Sequence, residues 1–136
     1  MNKARQALSP ADIVVFAFPL WNQTIPAALQ TFIDYTYGAG YTFKYDENGQ
    51  LVSLMTNKKY IVLNARGGNY SNPAMNAMEM AVNYINNVVG GVYGMEKLAE
   101  VIIEGHAADR ENAESIIATG LEKVQATAQK LATVTV

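Results

Sequence analysis

Two short segments of this chain carry side chains that suit a flat, polar-edged ligand better than they suit folding alone. The first, "PLWN" at residues 19–22, places a large indole and an amide directly after an apolar run. The second, "NARGGNY" at residues 64–70, contains an arginine, two adjacent glycines and a tyrosine. An indole offers an apolar plane, and glycines permit positive φ and close approach of backbone N–H groups to a ligand. Both segments are therefore candidates for a binding site.

Each of these residues also has a purely structural interpretation, and short motifs do not decide between the two. Gly67 and Gly68 would serve only as a turn, and Trp21 would lie at the edge of the core. Asn22 would cap the following helix, and Arg66 would be a solvated surface side chain. The residue types alone leave both interpretations open.

The segments follow apolar runs without alternation, which is typical of strands that are buried on both faces. These runs cover residues 13–18 and 60–63, and a third, "LAEVIIEG", lies at residues 98–105. Because helical patterns follow the runs, the sequence predicts an α/β fold: a doubly wound parallel sheet with helices on both faces. Parallel strands end at one edge of a sheet, where open α/β folds bind ligands. We therefore expect the two candidate segments to lie side by side.

Each predicted helix carries apolar residues at helical spacing, which marks the side expected to face the sheet. The first helix covers residues 25–37, the second begins at Asn72 and Pro73, and the third runs from about residue 109. The inward residues are Ile25, Leu29, Phe32 and Thr36 in the first helix, Met78, Val82, Ile85 and Val89 in the second, and Ile117, Leu121, Val124 and Leu131 in the third.

Two further segments lie outside this repeating pattern. Residues 41–45 alternate between aromatic and polar side chains, as in a half-buried strand, and Asn48-Gly49 is a turn signal, so we expect a β-hairpin excursion. The stretch "NKARQAL" at residues 2–8 has the character of the tail of a helix.

The composition limits the classes of function. The chain has 136 residues, of which 50% are hydrophobic and 16% charged, which predicts one ordered domain over residues 1–136. A net charge of −2 without a long basic stripe gives nucleic-acid binding little electrostatic support. There is no cysteine and only one histidine, His106, so we expect no metal site. Apolar runs stay far below the roughly 20 residues of a membrane span, so we expect no membrane partner and a cytoplasmic protein.

Taken together, the segments resemble the FMN-dependent NADH azoreductases of the flavodoxin-like quinone reductase family. The resemblance rests on "ADIVVFAFPLWNQTIPAALQTFIDY", "AGYTFKY", "NARGG" and "EVIIEGH", which follow the order and spacing of the family. It implies a flavodoxin-like sheet that is truncated at the N-terminus, since the first strand, phosphate loop, first helix and second strand of the family have no counterpart. In the strand order 2-1-3-4-5 of such folds, this chain would supply strands 3, 4 and 5.

The resemblance also implies a function. It implies an enzyme that transfers two electrons from NAD(P)H, with NADH as the expected donor, through FMN to quinones or azo compounds by a ping-pong mechanism, in a homodimer with sites at the subunit interface. No catalytic side chain is expected, because the cofactor carries the hydride chemistry. Tyr70, Tyr45 and His106 are the expected substrate-side residues. The expected FMN-binding residues are Pro19, Leu20, Trp21, Asn22, Gln23, Asn64, Ala65, Arg66, Gly67 and Gly68.

A second interpretation is an inactive remnant of such a domain, whose apolar surfaces serve only dimerisation. Without the front part of the fold, the strand at residues 13–18 would have an unprotected apolar edge that is prone to pair with another chain. Retention of FMN separates the two interpretations.

Overall fold

The computed structural model describes residues 2–133 and consists of helices that alternate with strands. The elements in chain order are α1 (Lys3–Leu8), β1 (Ile13–Pro19), α2 (Ala27–Thr36), β2 (Phe43–Tyr45), β3 (Leu51–Ser53), β4 (Lys59–Arg66), a 3₁₀ turn (Asn76–Met78), α3 (Val82–Ile85), a π-helix (Asn86–Val92), β5 (Glu96–Glu104) and α4 (Ala113–Ala132).

The main sheet is parallel and has the order β1-β4-β5. One side, the α2 face, packs against α2, where the rings of Phe16 and Phe32 lie 6.2 Å apart. The opposite side, the α4 face, packs against α4, where Gly120 contacts Ile103 of β5. The predicted α/β arrangement, with helices on both faces of a parallel sheet, is therefore confirmed.

The core lies on the α2 face, between the sheet and the helices that cover it. Val62 of β4, Ile33 of α2 and Ile85 of α3 are almost completely buried. Leu8 of α1 joins the same cluster, and α1 packs beside α2. Residues 2–8, whose pattern has the character of the tail of a helix, thus contain a short helix that is capped by Asn2.

The α4 face is covered only in part. Val15 of β1 is 54% exposed, and on α4 Leu121 is 58% and Ile117 40% exposed. The predicted burial of Ile117 and Leu121 is therefore wrong for this chain, although Leu121 does line a groove with Ala17 and Leu63 of the sheet. The physical reason is that α4 contacts the sheet over β5, where Gly120 permits close approach, while β1 and β4 have no helix above this face in the described residues 2–133.

The second predicted helix is broken into three short pieces. Val82, Ile85 and Val89 are buried as predicted, but Met78 is exposed in the separate 3₁₀ turn, so the single apolar stripe is wrong. The break has a local cause, since the carboxylate of Glu79 accepts hydrogen bonds from the first N–H groups of α3 and starts a new helix.

The π-helix packs closely against the ring of Tyr60. A Cβ atom at Gly90 would lie 2.8 Å from the hydroxyl oxygen of Tyr60, so only glycine fits beside this ring. The Tyr60 hydroxyl in turn donates to the side-chain oxygen of Asn86, at 2.9 Å.

The predicted β-hairpin is present as the antiparallel pair of β2 and β3. Asp46 accepts hydrogen bonds from the N–H groups of Asn48 and Gln50, at 2.9 and 2.8 Å, and Gly49 adopts a φ of 75°. In the part of the chain that the structure describes, no helix has the length and apolar character that a membrane crossing requires.

Candidate functional site

Three loops meet at the carboxyl edge of the sheet: the first loop (residues 20–26) after β1, the second loop (67–72) after β4 and the third loop (105–112) after β5. The N–H of Leu20 donates to the carbonyl of Ala65 at 3.0 Å, which joins the first loop to the end of β4. The N–H of Ala107 donates to the carbonyl of Gly67, also at 3.0 Å. The predicted proximity of the two candidate segments is confirmed, and the third loop lies beside them.

The first loop is a tight turn with an unusual backbone. Trp21 and Thr24 exchange two backbone hydrogen bonds, and between them Asn22 and Gln23 have φ values of 51° and 68°. Two consecutive positive φ values are the signature of a type I′ turn, which is unfavourable for residues with a side chain. Such strain is often found at functional sites.

The indole of Trp21 lies on the surface of this turn, with 62% of the residue exposed. Trp21 is therefore not a core-edge residue. Asn22 does not cap α2 either, because that helix begins after Pro26 without a side-chain cap. The carbonyl of Gln23 accepts a hydrogen bond from the N–H of Met80 at 2.9 Å, which fixes the turn against the segment before α3.

The glycines of the second loop serve close packing. Neither Gly67 nor Gly68 has a positive φ, so that part of the predicted reason for glycine is wrong, whereas close approach of their N–H groups to a ligand stays a prediction. A Cβ atom at position 67 would lie 2.7 Å from the Cβ of Ala107, and one at position 68 would lie 3.0 Å from the ring of Tyr70. The two glycines therefore let the third loop and the tyrosine ring approach the backbone.

Arg66, the last residue of β4, is 4% exposed. Its Nε donates to Glu104 at 2.9 Å, and its Nη1 lies 3.5 Å from Glu79. The guanidinium also lies 5.7 Å from the ring centre of Tyr70. The interpretation of Arg66 as a solvated surface residue is wrong, because its charge is paired with two carboxylates inside the protein.

Glu104 connects this ion pair to the backbone of the second loop. One of its carboxylate oxygens accepts from the N–H groups of Tyr70 and Ser71, at 3.2 and 3.3 Å, and from Arg66. Burial alone would raise the pKa of Glu104, but the hydrogen bonds from Ser71 and Arg66 and the charge of Arg66 lower it below its ordinary value. An ionised Glu104 therefore holds the second loop in place.

Glu79 and Glu104 are the site residues that sequence reasoning missed. The signal in the sequence is positional, because Arg66 and Glu104 each stand at the end of an apolar run, and the structure shows them to be register partners on neighbouring strands. A charged residue at the end of a buried strand needs a partner of opposite charge, and the neighbouring strand offers one at the same level.

Of the remaining predicted site residues, Asn64 and His106 lie at this edge of the sheet, whereas Tyr45 does not. The side-chain amide of Asn64 is buried and donates to the carbonyl of Phe18 at 2.9 Å. Its Oδ1, and Nδ1 of His106 in the third loop, are buried and have no hydrogen-bond partner among residues 2–133.

Tyr45 lies elsewhere. The hairpin that carries it packs its Phe43 ring 4.9 Å from the ring of Tyr37, which follows α2, and therefore lies at the opposite ends of the strands. The structure thus brings together residues 19–23, 64–68, Tyr70 and His106, but not Tyr45. Within residues 2–133, no group of three His, Cys, Asp or Glu side chains has an arrangement that would hold a metal ion.

Comparisons with known proteins agree with this architecture. The FMN-dependent NADH:quinone oxidoreductase 1 of Bacillus subtilis (strain 168) is 49% identical over 120 residues, which are 88% of this chain and 57% of that protein. The crystal structure of an azoreductase from Bacillus anthracis str. Sterne superimposes with a TM-score of 0.82 at 47% identity, over 93% of this chain and 62% of the other. An FMN-dependent NADH-azoreductase from Bacillus anthracis str. Ames Ancestor, solved in complex with FMN, has a TM-score of 0.82 at 26% identity over 95% of this chain and 60% of the other.

The chain therefore spans little more than half the length of the curated relatives that it matches. Residues 1–128 match the Flavodoxin_2 family, whose description is a flavodoxin-like fold. With nearly the whole sequence inside this match and a parallel sheet flanked by helices, the chain belongs to the Flavodoxin_2 family.

Proposed function

We propose that the three loops hold the ring of FMN and that the chain acts in transfer of two electrons from NADH to quinones or azo compounds. The observation that carries this proposal is the meeting of the loops at one sheet edge beside the exposed indole of Trp21. The names of the similar proteins, FMN-dependent NADH:quinone oxidoreductase and azoreductase, support the same activity.

The residues at this edge fit a planar ring with polar atoms along one side. Trp21 offers an exposed apolar plane, and the backbone of the first loop is fixed in a strained turn. Oδ1 of Asn64 and Nδ1 of His106 are buried polar atoms that lack a partner among residues 2–133. We infer that Pro19, Leu20, Trp21, Asn22 and Gln23 form one side of the ring site, and that Asn64, Ala65, Arg66, Gly67 and Gly68 form the other.

When bound, FMN supplies the carrier that accepts a hydride equivalent from NADH and passes it on, with a proton, to the acceptor. The chain itself positions the ring of FMN and provides the electrostatic environment around it. The N–H groups of Gly67 and Gly68 are the candidates to stabilise negative charge that develops at the carbonyl edge of the ring. Arg66 affects the carbonyl edge of the ring indirectly, by holding the second loop in place, because its guanidinium is already paired with Glu79 and Glu104.

The open side of the site is where donor and acceptor bind in turn, which gives a ping-pong mechanism. Tyr70 and His106 flank this side, and His106 is the type of residue that supplies the proton with which a quinone and a hydride equivalent become a hydroquinone. Tyr45 contributes only from a second subunit, since its own hairpin lies at the other end of the sheet. A homodimer in the cytoplasm, with sites at the subunit interface, is part of the proposal.

Titration of FMN with the purified chain, followed by quenching of flavin fluorescence, tests this function. We expect saturable quenching that Trp21→Ala weakens at least several-fold. Tyr35→Ala is the matched control, because Tyr35 is also an exposed aromatic residue but lies on α2, away from the loops. Absence of saturable quenching would contradict the proposal and favour the alternative, an inactive domain that serves dimerisation.

A further inference from the structure

The turn at residues 21–24, which carries the exposed indole of Trp21, is held to a distant part of the chain by its backbone. Within residues 2–133, one hydrogen bond does this: the N–H of Met80 donates to the carbonyl of Gln23 at 2.9 Å. The turn contains two consecutive positive φ values, which are unfavourable for residues with a side chain. A strained conformation persists only where its surroundings hold it. The position of Met80 therefore influences the position of the indole.

The residue before Met80 is Glu79, whose carboxylate is buried and has partners in two elements. Its Oε1 accepts from the N–H of Val82 at 2.8 Å, at the start of α3, and lies 3.5 Å from Nη1 of Arg66 at the end of β4. One planar peptide unit joins Cα of Glu79 to the N–H of Met80. A shift of Glu79 therefore moves the donor that holds the turn of the first loop.

Arg66 extends this connection to the second loop. Its Nε donates to Glu104 at 2.9 Å, and the same carboxylate oxygen accepts from two N–H groups of the second loop. Residues 79–80 thus stand between the two loops. The side chain of the first residue reaches the second loop through two ion pairs, and the backbone of the second residue binds the first loop.

A small polar cavity beside the ion pair leaves room for the carboxylate of Glu79 to move. Its volume is about 110 Å³, and its lining includes Arg66, Asn83, Asn86 and Glu100. Close-packed surroundings would keep a side chain in place even without its charged partner. Beside a cavity that is large enough for water, the pairing with Arg66 limits the positions that the carboxylate can take.

We propose that Glu79 is a positioning residue that couples the first loop to the second and thereby sets the distance between the indole of Trp21 and the backbone of Gly67. These groups lie on the two sides of the proposed ring site, so their separation determines how well a planar ring is held. The role towards the ring rests on the proposed function, whereas the coupling of the two loops does not require flavin.

Trp21 is the only tryptophan of the chain, so tryptophan fluorescence reports on the first loop alone. In Glu79→Gln, the amide keeps an oxygen for the N–H groups of α3 but loses the charge that pairs with Arg66. We expect at least a twofold larger amplitude of fast depolarisation of the Trp21 fluorescence in the folded chain without flavin. FMN should bind at least fivefold more weakly, and this loss should be less than additive with that of Trp21→Ala.

Glu100→Gln is the matched control, because Glu100 lines the same cavity but pairs with Lys97, outside both loops. It should change neither the depolarisation nor the FMN affinity by more than about twofold. Glu79→Asp keeps the charge but shortens the reach towards Arg66, so its effects should lie between those of the unchanged chain and of Glu79→Gln. It carries the test if Glu79→Gln does not fold, which circular dichroism checks.

The two measurements separate this proposal from the proposed function. If the unchanged chain does not bind FMN, the proposed function is contradicted, and the depolarisation of Trp21 fluorescence still decides whether Glu79 couples the loops. A folded Glu79 variant with a lower urea midpoint but unchanged depolarisation would have lost only stability, and would overturn the proposal. Equal effects of Glu100→Gln, or strictly additive losses of FMN affinity in the double variant with Trp21→Ala, would also overturn it.

Discussion

Nε of Arg66 lies 2.9 Å from a carboxylate oxygen of Glu104, so that a buried ion pair joins the ends of two neighbouring strands. Glu79, 3.5 Å from the same guanidinium, adds a link to the start of α3. The second loop is therefore held by side chains from three different elements, although it is itself a glycine-containing surface segment. Two predictions follow from this arrangement.

Replacement of Arg66 by Met should strongly destabilise the chain. It leaves the carboxylates of Glu79 and Glu104 without their cation in a largely buried place, which costs about 3–5 kcal/mol of unfolding free energy. Urea denaturation measures this loss. The control is Lys97→Met, which removes the exposed pair with Glu100 and should cost about 1 kcal/mol or less. Equal effects of the two substitutions would contradict the structural role of Arg66.

Acid should destabilise the chain partly through Glu104. Its pKa in the folded state is lowered from 4.5, so its stabilising contribution is complete above that ordinary value and is lost as the pH falls through the lower folded-state pKa. Glu104→Gln should therefore reduce stability at neutral pH and flatten the decline of stability under acid. Urea midpoints at neutral and acidic pH measure both effects. The exposed Glu111→Gln is the control, and an unchanged acid profile in Glu104→Gln would refute the prediction.

Alkaline pH should destabilise the chain through Tyr93. Burial raises the pKa of its phenol from 10.0 to about 12, although the hydrogen bond with Thr36 acts in the opposite direction. The stability that depends on the neutral phenol is complete below pH 10.0 and is lost as the pH rises towards about 12. Tyr93→Phe should therefore reduce the loss of stability that occurs at high pH. It should cost about 0.5–1.5 kcal/mol at neutral pH, the net value of one hydrogen bond, because Thr36 loses its 2.8 Å partner but keeps its bonds to the carbonyls of Phe32 and Ile33. Denaturation curves across this pH range measure both effects, with the exposed Tyr45→Phe as control.

The packing of the second loop against the third can be tested with a pair of small residues. Gly67→Ala places a Cβ atom 2.7 Å from that of Ala107, and the shift that this forces should cost about 1–3 kcal/mol. The double variant Gly67→Ala/Ala107→Gly should recover a large part of the loss, because it restores the total volume. Thermal or urea denaturation of the two single variants and the double variant measures the coupling. Strictly additive effects would show that the contact does not limit the packing.

The strands could be predicted closely because an apolar run is a local signal. The run at residues 13–18 corresponds to Ile13–Pro19, and the run at 98–105 to Glu96–Glu104. The inward face of α4 could not be predicted in the same way. Leu121 belongs to an apolar stripe, but its burial depends on a layer over the sheet that the described residues do not provide.

The site shows the same division between local and non-local information. The two loop segments could be located from their residue types at strand ends, whereas the pairing of Arg66 with Glu104 depends on the register between β4 and β5. The role of Gly67 was misjudged because glycine serves both positive φ and close packing, and only the position of Ala107 distinguishes them.

Pro19 has a consequence for how the chain behaves when many copies are crowded together. Stacking of identical strands into a fibril requires an unbroken row of donors along the strand edge. In β1 that row is limited to Ile13, Val15 and Ala17, because Pro19 occupies the next outward position and has no N–H to donate. The outward row of donors along this edge therefore ends at Ala17, which shortens the template that a stacked copy of the strand would need.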